Sequence, residues 1–180
     1  MGTEAKNPDS VGNFILQQGL DLPAAESCPL RFSALMFQPR VIGSIVLLAV
    51  ILQSPAIFLL LSAILWWNVL LPRWNPFDAA YNRTLGTRPG AVRLSPAPPP
   101  RRFAQGMAGS FALAIGVFLS LGMGAAAIVL QILLLAALAA LVFGRFCLGS
   151  FVYHLVCGRS KFAVGTLPWK SCSFTKPPSS

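Results

Sequence analysis

VIGSIVLLAVILQSPAIFLLLSAILWWNVLLP, residues 41–72, and FAQGMAGSFALAIGVFLSLGMGAAAIVLQILLLAALAALVFG, residues 103–144, contain no Asp, Glu, Lys, Arg or His. All 14 Lys and Arg residues lie outside them. A soluble domain carries about 25% charged residues, whereas this 180-residue chain carries 11%, with 55% hydrophobic residues and a mean hydropathy of +0.67. Charge-free runs of this length have no polar face to turn to water. Lipid accepts them.

The first stretch is long for one span and short for two. As a single helix it would reach roughly 48 Å, against a hydrocarbon layer of about 30 Å. Gln53-Ser54-Pro55 interrupts it. Ser54 suits an N-cap and Pro55 the first helical position, where a missing N–H does no harm. The pattern predicts a hairpin of one short helix over 39–52 and a second over 55–71. The first falls below a standard span, so it needs local thinning, or a start nearer Ser33 with Arg40 snorkelling. A re-entrant first segment is the alternative.

The second stretch divides into 103–121 and 125–144, each near the roughly 20 residues a span requires. Gly122-Met123-Gly124 supplies the reversal, since glycine accepts a positive φ. The expected fold is therefore an all-α integral membrane protein of two transmembrane helical hairpins (four spans), with short interfacial helices.

Basic residues set the expected orientation. Lys6, Arg31 and Arg40 precede the first hairpin; Arg73, Arg83, Arg88, Arg93, Arg101 and Arg102 lie between the hairpins; Arg145, Arg159, Lys161, Lys170 and Lys176 follow the second. The hairpin turns carry none. By the positive-inside rule both termini and the middle loop are expected on the cytoplasmic side. The net charge of +9 is read as a topology signal, with no nucleic-acid partner implied. A basic face attracts anionic lipid. The first 30 residues are polar and lack a cleavable signal pattern. Cys28, Cys147, Cys157 and Cys172 fall on the expected cytoplasmic side, where thiols stay reduced.

Six segments follow: a mobile N-terminal segment 1–32, a first hairpin 33–72, an interfacial helix and Pro-rich linker 73–102, a second hairpin 103–144, an interfacial Cys/His segment 145–158, and a basic mobile tail 159–180. Within the third, Ser95-Pro96-Ala97-Pro98-Pro99-Pro100 reads as a stiff polyproline spacer with little chance of packing. Before it, Asn75-Pro76 reads as a cap and first helical residue, 77–85 as a short helix and Gly86 as its stop. Phe77, Ala80, Tyr81 and Leu85 share its apolar face, with Asp78, Asn82 and Arg83 elsewhere. Trp66, Trp67 and Trp74 mark the adjacent interface. Arg73-Trp74 and Tyr81-Asn82 recur in spacing as Arg145-Phe146 and Tyr153-His154, a faint parallel repeat that shared interface chemistry explains better.

Two residue sets invite a role. Ala108, Ala112, Gly116, Ser120 and Gly124, with Ala136, Ala140 and Gly144, recur every four residues, as helix-packing seams do in membranes. The bland account is packing within the second hairpin; a homo-oligomer is the other. Next, 146–157 is apolar, and Gly149-Ser150 permits a bend. If helical, it places Cys147, Ser150, His154 and Cys157 on one stripe. This is a candidate thiol face. It supplies at most two zinc ligands where a structural site needs four, so no metal and no cofactor are expected. Buried cysteine usually acts as a small hydrophobe.

Arg40-Val41-Ile42, Asn75-Pro76-Phe77-Asp78, Arg102-Phe103 and Phe146-Cys147-Leu148-Gly149 together resemble the bacterial membrane family called domain of unknown function 4395, over about residues 31–156. The resemblance implies a bacterial inner membrane, or a thylakoid membrane in a cyanobacterium. It also implies a thiol role at Cys147, because such members carry a second cysteine three residues on and some resemble companions of thioredoxin-like or sulfurtransferase proteins. Here that position is Ser150. The functional expectation is a non-enzymatic scaffold or accessory subunit. The alternatives are a sulfur or thiol relay to a soluble thiol protein, and a passive transporter of an uncharged solute.

Overall fold

The computed structural model describes residues 8–21, 28–87 and 93–170. The expectations for Lys6, Arg88, Lys176 and Cys172, and for the Cys28 side chain, lie outside the described residues, as does the tail beyond residue 170. Among the described residues every regular element is helical: α1 Pro8–Gln17, α2 Cys28–Leu52, α3 Pro55–Leu70, a 3-10 turn Pro72–Trp74, α4 Pro76–Thr84, α5 Pro99–Ser120, α6 Gly124–Val142, α7 Leu148–Val156 and α8 Ser160–Gly165.

Among the described residues, three stretches are long and apolar enough to cross a membrane: Leu30–Leu52, Pro99–Ser120 and Gly124–Val142. Helix α3 is equally greasy but has 16 residues, about 24 Å of rise. The short first helix predicted over 39–52 is corrected to 25 residues, running through Pro39. Proline removes one N–H and crowds the carbonyl four residues back. Buried Ala34, Leu35 and Met36 on one side of it, and Ile42, Val46 and Ala49 on the other, anchor the helix across the fault. The chain then reverses at Gln53 (φ 46°) and Ser54, with Pro55 opening α3 as expected. Gly122 (φ 72°) makes the second reversal.

Helices α3 and α5 form the closest seam. The Ser62 hydroxyl donates across it to the Gly109 carbonyl at 2.8 Å. A Cβ at Gly109 would lie 3.2 Å from Leu65 and Trp66, and one at Gly116 would lie 2.8 Å from Leu59. The small residues of α5 thus meet α3. Ala112 is buried in that core with Phe58, Leu61 and Leu65. Gly124, Ala136 and Gly144 are exposed, and a Cβ at Gly144 would lie 2.7 Å from the Ala140 carbonyl oxygen. Gln131 on α6 and Gln53 at the first turn exchange amide hydrogen bonds of 3.1 and 3.2 Å. Such reciprocal pairing satisfies both side chains without water.

A second, smaller core closes the end of the bundle where α2 and α5 begin and α3 and α6 finish. It comprises Phe14, Ile15, Phe32, Leu35, Met36 and Cys147. Helix α1 falls inside the segment expected to be mobile. Its Phe14, Ile15 and Leu16 are nonetheless buried, a run too short to show a helical period among its polar neighbours. In the tail, Asn13 donates its amide to the carbonyls of Leu167 (3.1 Å) and Lys170 (2.8 Å), just beyond α8. The proline spacer is also corrected. Pro99 and Pro100 form the first turn of α5, where proline is favoured, and Ala97 and Pro100 are buried. Asn82 clips the preceding strand-like segment back onto α4, bonding both the N–H and the carbonyl of Leu94.

Candidate functional site: a polar junction beside Cys147

Helix α4 starts as the sequence predicts. Asn75 caps it, accepting from the N–H groups of Phe77 (3.0 Å) and Asp78 (3.5 Å). Its faces are corrected, because Asp78 is buried beside Tyr81 while Ala80 is exposed. Arg101 explains the exchange. Its guanidinium lies 3.1 Å from one Asp78 carboxylate oxygen. Asn75 donates to the other at 2.9 Å. The same Arg101 nitrogen donates to Gln38 Oε1 at 2.7 Å, and Gln105 donates to that oxygen at 3.0 Å. One charge pair and three amides therefore join α2, α4 and α5. Burial raises the Asp78 carboxyl above its ordinary 3.8, opposed by the adjacent Arg101.

Arg102 is equally structural. Its Nε and a terminal nitrogen both donate to the Val69 carbonyl, at 3.1 and 2.6 Å, at the last turn of α3. A cation there complements the orphan carbonyls of a helix C-terminus. Sequence reasoning treated Arg101 and Arg102 as topology signals and set Asp78 on a polar face of α4, with no partner assigned to it. A signal existed: Asp78 is the single acidic residue after Glu26.

The predicted thiol stripe is split. The break after α6 comes at Arg145, with φ 53°, next to the expected end of the second hairpin at 144, and the bend that Gly149-Ser150 would permit is not used. Arg145 is held there by the Ser10 hydroxyl and by the Phe32 ring, 5.5 Å from the guanidinium carbon. Gly149 lies inside α7 at a close approach to α5. A Cβ on it would sit 2.6 Å from the Ala104 backbone. Cys147 is the N-cap of α7 and 5% exposed; Ser150 and His154 are buried; Cys157 at the far end is exposed.

Helix α1 holds this stripe in place. The Cys147 N–H donates to the Gln17 side-chain oxygen at 3.0 Å. His154 Nε2 lies 3.1 Å from the Gln17 main-chain carbonyl, which only accepts, so the ring is protonated at Nε2. Ser150 donates a long bond of 3.4 Å to the Pro100 carbonyl. The Phe162 ring packs edge-on against His154, with centroids 4.8 Å apart. Burial lowers the His154 pKa from its ordinary 6.5. Among the described residues, no group of three or more His, Cys, Asp and Glu is placed to hold a metal ion.

A cavity of about 80 Å³ connects the two halves of the site. Cys147, Gln18, Gln38, Arg101 and Gln105 line it, with Phe14 and Leu35 among the apolar walls. A sulfhydryl, a guanidinium and three amides thus share one small enclosure.

Two measurements follow from this geometry. In a chain with Cys28 and Cys172 replaced by serine, maleimide at neutral pH is expected to modify Cys157 rapidly and Cys147 only after unfolding. Equal rates would contradict the burial. For His154, the unfolded chain takes up a proton below its ordinary 6.5, before the folded one does. Stability contributed here is full above that value and is lost as pH falls through the lowered folded pKa. His154→Gln should flatten this acid limb of a melting-temperature profile. An unchanged limb would place the titration elsewhere.

The class of protein is an all-helical one, with three helices long and apolar enough to span a membrane and a polar junction packed at one end. A family model described as "Domain of unknown function (DUF4395)" matches residues 31–157, and the chain belongs to that family. The match takes in α2 to α7, including Asp78, Arg101 and Cys147, while α1 precedes it. No curated protein and no solved structure matches the chain.

Proposed function

We propose that the chain is a four-span membrane protein of two hairpins, with both termini and the middle loop on the cytoplasmic side of a bacterial membrane, serving as a non-enzymatic accessory subunit or scaffold. The observation that carries this reading is the interlocked end of the bundle. There Asn13, Gln17, Gln38, Asp78 and Arg101 bond to one another or to main chain from distant elements. Polar groups committed to such contacts hold a platform in shape. Arg73, Arg83, Arg93, Arg159, Lys161 and Lys170, on the segments that connect or follow the long helices, are exposed. Exposed basic residues of this number are of the kind that engage an acidic partner. Counting α3 as a span rests on its apolar length and its seam with α5.

A photoreactive residue at Arg83 or Arg159 tests the scaffold reading in cells. Reproducible capture of a soluble acidic protein or a membrane protein is expected, and substrate turnover by the purified chain would overturn it. A second reading, a thiol relay through Cys147, is favoured by the cavity that it shares with Arg101, Gln38 and Gln105. Burial of that thiol weighs against exchange with a soluble protein. The maleimide experiment above separates the two.

A further inference from the structure

We propose that the groove between α2 and α6 is a binding site for one anionic phospholipid, its phosphate on Arg40 and an acyl chain along the helices; this rests on the membrane reading above. The groove has a volume of about 450 Å³ and is walled by Gly43 and Leu47 from α2 and by Leu135, Leu138 and Phe143 from α6 and its end. Arg40 is the single charged residue lining it. Its side chain is exposed and makes no salt bridge among the described residues. A long apolar slot with a cation at one end, and no acid on its walls, complements an anionic lipid.

The level of Arg40 fits that occupant. It stands thirteen positions before Gln53 on α2, and Trp67 stands thirteen positions after Ser54 on α3. The two therefore lie at matching depth below the shared turn. Trp67 is half exposed, next to exposed Trp66, as expected of residues at the headgroup boundary. Phe143, 85% exposed, flanks the same end of the groove. From Arg40 to Leu47 the slot rises about 10 Å into the hydrocarbon side.

Gly43 makes the site addressable. A Cβ there would have nothing within 4 Å, so the backbone has room for a side chain that projects into the groove. Arg40 serves the proposal independently, because its loss removes charge and leaves the walls intact.

The experiment uses the full chain in phosphatidylcholine nanodiscs containing a minor fraction of phosphatidylglycerol. A diazirine is placed in the acyl chain of one lipid or the other, and labelled residues are mapped by mass spectrometry. The phosphatidylglycerol probe is expected to label 43–47 and 135–143 more strongly than the phosphatidylcholine probe. Arg40→Gln should reduce that preference by about fivefold, the effect of roughly 1 kcal/mol per basic residue at a lipid surface. Gly43→Leu should remove labelling in the groove while labelling around exposed Leu60 persists. Equal labelling by both probes, unaffected by Arg40→Gln, would overturn the site. So would crosslinked dimers joined through 43–47, which would assign the groove to a second copy. If the chain fails to enter the bilayer and is labelled nowhere, the membrane reading itself fails, an outcome distinct from an embedded chain with an indifferent groove.

Discussion

Arg101→Met is expected to lower stability by about 3–5 kcal/mol, the range for removing one member of a buried ion pair. The loss arises from the group left behind. Asp78 is 7% exposed, and Arg101 supplies its opposing charge at 3.1 Å. Gln38 would also lose a donor at 2.7 Å. The double variant Arg101→Met with Asp78→Leu should recover much of the loss, because replacing a whole buried pair by apolar residues is often close to neutral. The single variants and the double variant, melted in detergent, form the cycle. Equal melting of Arg101→Met and the parent would show that the pair contributes nothing.

The same pair predicts a pH dependence of opposite sign to that of His154. Because the folded carboxyl of Asp78 keeps its proton to higher pH than the unfolded one, acid favours the folded state through that window. Stability falls as pH rises from the ordinary 3.8 through the raised folded value. Without Arg101 the carboxyl loses the interaction that lowers it, so the window extends further upward. The deficit of Arg101→Met should therefore shrink on acidification. A deficit independent of pH would assign the loss to packing alone.

Gly149→Val is the second large effect. Overpacking typically costs about 1–3 kcal/mol, and here the obstruction is main chain. The added Cβ would meet the Ala104 Cα and Cβ, each at 2.6 Å. No flexible side chain can swing aside, so α7 must lift from α5. That movement strains the contacts of Cys147 and His154 with Gln17. The variant should thus melt earlier and expose Cys147 to maleimide in the folded state. A destabilised variant with Cys147 still protected would mean that the strain is absorbed elsewhere.

Much of the helical architecture was legible because long charge-free runs can be read residue by residue. The turns at Gln53-Ser54 and Gly122, and the cap at Asn75, all follow from local chemistry. The junction was not legible in the same way. Asp78 and Arg101 are separated by 23 positions, Gln17 and Cys147 by 130. Nothing local distinguishes an arginine aimed at a buried acid from one aimed at a phosphate. The stripe from Cys147 to Cys157 had the right helical spacing, but spacing cannot tell which end is covered. Helix α1 covers the Cys147 end, and its docking face lay within a segment with no visible period. The helix start was set at 39 for a related reason: proline favours a first turn in an isolated helix, but Pro39 is tolerated inside α2 where packing holds both sides.

The union of α1 with α7 has a bearing on biosynthesis. Gln17 leaves the ribosome 130 residues ahead of Cys147, an interval on the order of ten seconds at ordinary elongation rates. Throughout it, Phe14 has Phe32 of α2 to pack against, at 5.4 Å between ring centroids, but Gln17 has neither Cys147 nor His154 to bond. The nascent chain therefore carries a half-packed leading helix past four greasy segments before α7 is made, and closure of this end is among the last events of maturation.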